Sequence, residues 1–515
     1  MRRFVLAAVA AGVAATVVIA AAAWSVWSGA AVDTTGEVGF EQRLRIPPLL
    51  EPKSGADGRK VFDLRLQEGE AELVPGRTTE TWGVNGPYLG PTLRAERGDE
   101  LAMRVSNDLP EPTTLHWHGM HLPAAADGGP HQPIAPGATW EPSWRIDQPA
   151  ATLWYHPHLM GETEEHVYRG VAGMFILDDP AADALELPDT YGVDDIPVIV
   201  QDKRFEDDGD LSSSQGIISP IGQLGDTLLV NGTADPHLEV ETSRVRLRLL
   251  NASIARSYAF GFADGRAFEL IATEGGLLDA PHELERVQLS PGERAEIVVE
   301  LEAGEDVVLR SFEPDVGSVG FPNGRFVGAD DRFDVLQLRA ADDLAETPPV
   351  PATLAAQDES PEADDAARVR RFELSSRSIN DRGMDMDRID QVVPVDETEI
   401  WDVENTSGIP HSFHVHDTRF EVAEFAGGPP PPALSGPKDT ILVPPGETAR
   451  LVTRFSDYTD PETPYMFHCH LLEHEDRGMM GQFTVIERAR HGLAAPSPGP
   501  HARARSASGP PSRRG

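Results

Sequence analysis
The chain has 515 residues, a formal net charge of −40 and a single cysteine. One hydrophobic core rarely serves more than about 250–300 residues, so several domains are expected. That much negative charge excludes nucleic acid as a partner, because phosphates are repelled; it reads as a solvated acidic surface.

The N-terminus, MRRFVLAAVAAGVAATVVIAAAAWSVWSGAAVD, sets Arg2 and Arg3 before an uncharged run from Phe4 to Val32. This is an export pattern, and the pair of arginines resembles a twin-arginine signal. The run exceeds the usual signal core and matches the roughly 20 residues that span a bilayer. Two outcomes compete for residues 1–31: cleavage after the small residues Ser28–Ala31, or retention as a membrane tether. In either case the rest of the chain is expected outside the cytoplasmic membrane, as a periplasmic, cell-surface or secreted protein.

Short strand-like runs bounded by Gly, Pro, Asn and Asp follow, in blocks at 45–180, 190–340 and 369–488. Examples are LAMRVSNDL, ATLWYHPH, VRLRLLNAS and RAEIVVEL. Residues 341–368, rich in Pro, Ala and acid, read as a linker, and 489–515 as a disordered basic tail. The spacing predicts an all-β chain of three Greek-key sandwich domains, taken as a monomer.

Ten of the 17 histidines fall in four clusters: LHWHG, WYHPHLMG, IPHSFHVH and FHCHLLEH. The other seven (His121, His131, His166, His237, His282, His491 and His501) are read as structural or solvated. Along a strand, side chains alternate, so H-x-H presents both imidazoles on one face. Imidazoles without clustered carboxylates suit copper, zinc, iron or nickel rather than calcium or magnesium. The second block holds only His237 and His282, and is read as taking no part in that chemistry.

The cysteine sits inside HCH. An exported chain normally uses cysteines in disulfide pairs, which one cysteine cannot form within the chain. Alternation turns Cys469 away from His468 and His470, toward His474 and His411. Met479 lies ten residues beyond the cysteine. Two histidines, a thiolate and a weak axial methionine form the donor set of a blue-copper site. The adjacent Met480 is read as the core residue of the pair.

These motifs, in this order, together with GPYLGPTLRAERGD, DGGPHQPI, YRGVAGMFILDD, GDTLLVNG and MDMDRID, resemble the three-domain bacterial multicopper oxidases of the laccase superfamily. The likeness runs over roughly residues 45–487 and is strongest to the branch of copper-efflux oxidases, spore-coat laccases and bilirubin oxidases. It implies cupredoxin folds and four copper ions. His411, Cys469, His474 and Met479 would hold the type 1 copper, and His116 with His414 the type 2 copper. His118, His156 and His470 would hold one type 3 copper, and His158, His416 and His468 the other. Electrons would pass from Cys469 through His468 and His470 to reduce dioxygen to water. Asp127 and Glu475 stand where the family delivers protons, although a loop carboxylate is ordinarily solvated.

The methionine-rich insert of the copper-efflux oxidases is missing; only Met384 and Met386 stand in that region. TSGIP replaces the acid that those enzymes carry before the middle histidine motif. A laccase-like oxidase of phenolic or aromatic donors is therefore the leading expectation. The alternative is a metallo-oxidase for Cu(I), Fe(II) or Mn(II) in copper tolerance. A remoter one is a non-catalytic cell-envelope or division scaffold, which some relatives with lost ligands have become; the complete ligand set opposes it.

Overall fold
The structure, a computed structural model, describes residues 2–212, 219–321, 323–354 and 360–488, with backbone alone for 2, 3 and 5–13. The tail read at 489–515 lies outside the described residues, as do 355–359 of the segment read as linker.

The chain is all-β, as its turn-punctuated strands imply. Alternation builds the sheets directly. In the strand Lys60–Val74, Phe62, Leu64 and Leu66 are buried while Asp63 and Arg65 look outward. Each such fully buried side chain contributes about 1.5–3 kcal/mol over an exposed one.

The sheets come in three pairs, each pair enclosing one core. The first joins a six-stranded sheet around Lys60–Val74 and Glu100–Asn107 to a four-stranded one ordered Leu93–Glu96, Gly173–Asp178, Ala151–His156, His116–His118. Their shared core includes Phe62, Trp117, Tyr155 and Phe175. The second pair holds Asp195–Lys203, Arg244–Asn251 and Arg294–Glu300 in one sheet, and Tyr258–Phe262, Asp306–Phe312 and Phe333–Ala345 in the other. The third sets a sheet with Thr398–Asn405 and Thr448–Arg454 against one ordered Gln391–Pro394, Met480–Ile486, Asp460–Cys469, His411–Val415, Thr440–Val443. Its core includes Trp401, Phe413, Phe467 and Cys469.

Two segments differ from expectation. The strand Phe333–Ala345 continues five residues into the stretch read as linker, because Thr242 pairs with Ala345. Ahead of residue 45, Gln42–Arg43 pairs in parallel with Pro236 and His237, so the early chain is stitched to the second block.

The N-terminal run forms a helix, Arg2–Ser28. Trp27 at its end meets Phe321, ring centroids 5.9 Å apart, and Val32 N donates to Asp331 Oδ1. Among the described residues no helix is long and apolar enough to cross a membrane.

Candidate metal centre
Strand pairing explains how the histidine clusters meet. His116–His118 runs antiparallel to Ala151–His156, with His116 opposite His156, Trp117 opposite Tyr155 and His118 opposite Trp154. The pleat sends Trp117 and Tyr155 into the first core and the histidines to the other face. The third block repeats the device. His414 stands opposite His468 and Phe413 opposite Cys469, and Phe413 and Cys469 enter the third core. Two histidine-bearing faces, one from each block, then meet edge to edge.

All ten clustered histidines are at most 1% exposed. Their ligand atoms gather in sets lying within 4.8 Å of one another: His116, His118 and His414; His118, His156 and His470; His158, His416 and His468; and His411, Cys469 and His474. Rings stack across the seam, His118 on His414 at 3.7 Å and His116 on His416 at 3.9 Å between centroids.

Hydrogen bonds fix which nitrogen five of these rings present. His116 Nδ1 donates to Asp127 O and His414 Nδ1 to Asp439 O, both at 2.9 Å. His156 Nδ1 donates to Pro157 O at 2.7 Å, and His416 Nδ1 to Asp127 Oδ2 at 2.8 Å. These rings present Nε2. His118 is reversed: Nε2 donates to Asp439 Oδ1 at 3.1 Å, which leaves Nδ1 facing His156 Nε2 at 3.3 Å. The Nε2 atoms of His116, His414 and His470 are buried with no hydrogen-bond partner among the described residues. Buried polar atoms left unpaired are costly, and convergent ones mark a missing ligand.

At the third set, Cys469 Sγ lies 3.5 Å from His411 Nδ1 and 3.6 Å from His474 Nδ1. Ser407 Oγ holds His411 Nε2 at 2.9 Å, and Pro220 O holds His474 Nε2 at 2.9 Å. Met479 is buried, and its carbonyl accepts from Cys469 N at 3.1 Å. Met480 pairs with His468 across the neighbouring strand. Clustered imidazoles beside a cysteine held between two histidines, with Met479 buried in the same core, fit copper.

The two carboxylates read from the sequence are buried, not solvated. Asp127 follows the turn Ala124–Ala126, and the chain doubles back at Gly128, φ 78°. A Cβ there would stand 1.9 Å from Leu115 O, so the approach that seats Asp127 under His116 and His416 requires glycine. Glu475 straddles two rings: Oε1 is 3.1 Å from His158 Nδ1 and Oε2 3.1 Å from His468 Nδ1. Burial opposes its ionisation, but the two imidazoles outweigh burial and hold the carboxyl well below its ordinary range.

A third buried carboxylate, Asp439, has no motif to announce it. Besides His118 and the main-chain bond to His414, it accepts Arg294 Nη1 and Nη2 at 2.8 and 2.7 Å. Burial raises its pKa, yet Arg294 and His118 more than reverse that and hold it well below the usual carboxylate range. The second block also supplies Pro220, so it serves the centre although it contributes no ligand.

The scattered histidines stand apart: His121 bonds Asp417, His131 Gln482, His166 Thr113 and Glu111, His237 Phe40 O, and His282 Ser435. His491 and His501 lie outside the described residues.

Burial sets the protonation of the centre. It drives His118, His156, His411, His416 and His470 well below the ordinary histidine range, His158 to about 3 and His414 to about 4. These rings are neutral at pH 7, with lone pairs free for a metal. Burial also pushes the Cys469 thiol up to about 12, so metal binding there displaces a proton. Because unfolded histidine titrates near 6.5, the unfolded metal-free chain binds more protons as pH falls below that value. Stability carried by His158 and His414 is therefore full above pH 6.5 and is lost toward pH 3–4. Each adds a slope approaching about 1.4 kcal/mol per pH unit. Calorimetry of the metal-free chain should show Tm falling between pH 7 and 5; an unchanged Tm contradicts neutral buried imidazoles.

Three stretches match multicopper oxidase family models: residues 65–182, 203–308 and 346–489. The multicopper oxidase Mco of Staphylococcus aureus is 35% identical over 454 residues, 87% of this chain and 93% of the relative. The cell division protein FtsP of Xenorhabdus nematophila is 37% identical over 455 residues, covering 86% and 92%. Among solved structures, a laccase from Pediococcus acidilactici superposes with a TM-score of 0.79 at 34% identity, over 87% of this chain and 94% of that one. These likenesses run through all three sheet pairs, whose folds are cupredoxin-like. The chain belongs to the multicopper oxidase family.

Proposed function
We propose that the chain is a laccase-like oxidase, taking single electrons from phenolic or aromatic donors and passing them to dioxygen. The observation that carries this is one tripeptide: Cys469 stands between His411 and His474 while its neighbours His468 and His470 enter two different imidazole sets. The type 1, 2 and 3 residues assigned above would hold four copper ions per chain, which when bound would supply one-electron acceptance and four-electron reduction of dioxygen to water. Two peptide bonds then make the shortest covalent bridge between the site that takes electrons and the site that spends them. Buried walls keep bulk water from the imidazole sets; Asp127 holds the proton on His416 Nδ1, and the Glu475 carboxylate faces the Nδ1 atoms of His158 and His468.

Donors approach near His474. A cavity of about 310 Å³ is lined by Tyr168, Leu211, Gln223 and Ile254, and Ile254 O accepts from Leu472 N, two residues before His474. Its rim also carries Glu80, Glu164, Glu165 and Asp210. That acidic rim favours the second reading, oxidation of a metal cation. The intact ligand set favours both readings over a non-catalytic cell-envelope or division role, although FtsP is named a cell division protein. The export pattern of residues 1–31 supports a location outside the cytoplasmic membrane.

The test is side-by-side oxygen consumption by the copper-loaded protein with phenols, bilirubin, Cu(I), Fe(II) and Mn(II). Phenolic turnover should lead. A clear lead for one metal ion replaces the donor assignment, and absent uptake with every donor overturns the oxidase reading.

A further inference from the structure
We infer that the turn Ser290–Arg294 of the second block, which holds no copper ligand, is a positioning element for the oxygen-reducing histidines. The inference rests on the oxidase reading. Two contacts carry it. Gly292, at φ 89°, lies flat against His470: a Cβ there would stand 3.0–3.1 Å from three atoms of the imidazole. His470 has no hydrogen-bond partner on either ring nitrogen among the described residues. Its orientation is therefore set by walls, and Gly292 is one of them.

The second contact runs through Arg294, which is fully buried. Its Nε donates to Thr152 O of the first block at 2.9 Å, and Nη1 to Gly292 O at 3.1 Å. The planar guanidinium grips Asp439 of the third block with two parallel bonds. Asp439 in turn receives the Nε2 proton of His118. A carboxylate held as an anion accepts that proton and leaves Nδ1 of His118 bare toward His156 and His470. Arg294 thereby fixes, through Asp439, the unusual nitrogen that His118 presents. The turn is tied in place from the same side, since Ser290 Oγ meets Ser412 Oγ at 2.8 Å and Ser412 O accepts His470 N at 2.6 Å. One five-residue turn thus touches both a type 3 ligand and the anion behind another, and among the described residues makes no hydrogen bond to the thiolate set.

Lysine keeps the charge of Arg294 but cannot form the paired bonds together with the bonds to the carbonyls of Thr152, Gly292 and Glu274. Arg294→Lys and Gly292→Ala, each purified and loaded with copper, should lose copper affinity at the trinuclear sites by about 10–100-fold, the usual effect of disturbing a partner of a metal ligand. The readouts are copper per chain, the type 2 electron paramagnetic resonance signal, and blue absorption per chain, which should stay at the wild-type level. Gly304→Ala, in a second-block turn at φ 75°, controls for general weakening of that block and should keep all three signals. Full trinuclear copper in both variants overturns the inference, as does proportional loss of blue absorption and trinuclear copper. Should Arg294→Lys fail to fold, Gly292→Ala against Gly304→Ala decides. A wild-type chain that takes up no copper defeats the oxidase reading itself.

Discussion

Replacing Cys469 by serine should remove the blue absorption entirely and reduce donor oxidation to background, while copper at the imidazole sets is retained. The side chain is fully buried, and its sulfur lies 3.5 Å from His411 Nδ1 and 3.6 Å from His474 Nδ1. Serine is nearly isosteric, so the third core keeps its shape and the expected loss is chemical. A hydroxyl is a hard, weakly acidic donor that cannot replace a thiolate for copper or give its colour. Titration of bound copper, visible absorption and oxygen uptake read the three parts of the prediction separately. A Cys469→Ser protein that is still blue removes the thiolate from the site.

The second large effect falls on Glu475. Its oxygens stand 3.1 Å from His158 Nδ1 and His468 Nδ1, while the Nε2 atoms of His158 and His416 converge on His468 Nε2 at 3.2 and 3.3 Å. The anionic carboxylate lies at ion-pair distance from both Nδ1 atoms and favours a proton on each, which leaves the Nε2 atoms as lone-pair donors; His468 Nδ1 also donates to Cys469 O at 3.2 Å. Glu475→Gln turns one of those oxygens into an NH₂. That group faces an N–H donor, so one ring must move or switch its proton to Nε2, the atom a metal needs. Copper affinity at this type 3 site should drop about 10–100-fold. Oxygen uptake should fall further, because a general acid–base group typically contributes about 10²–10⁴-fold. Blue absorption should persist, and the donor should still bleach it without turnover. Unchanged oxygen uptake in Glu475→Gln would show that the carboxylate only fills space.

Both predictions exploit the same division within the third block. His468, Cys469 and His470 are consecutive, yet the middle residue belongs to one site and its neighbours to another. The division follows from the strand Asp460–Cys469 and its partner His411–Val415, whose pleat sends Phe413 and Cys469 inward and His414 and His468 to the seam. A one-residue register shift would send Cys469 to the seam and the histidines into the core.

The candidate ligands were legible from the amino-acid order because their geometry is local. H-W-H, H-P-H and H-C-H each lie on or at the end of a strand, and a period of two states which side chains share a face. The all-β class was legible for a similar reason, since short alternating runs between turn residues admit little else. The surroundings of the ligands were not. Whether Asp127 and Glu475 are solvated or buried depends on what covers them, and a loop carboxylate carries no mark of its cover. Asp439, Arg294, Gly292 and Pro220 have no spacing to any histidine cluster. They reach the centre only because three sheet pairs close on one another, bringing Arg294 within 2.7 Å of Asp439 across 145 residues of chain. The sequence by itself determined which side chains are candidate metal ligands, since strand alternation is a property of neighbouring residues. The tertiary structure alone decided which nitrogen each ring presents and which buried charges hold it there, since those depend on contacts between residues that no local periodicity relates.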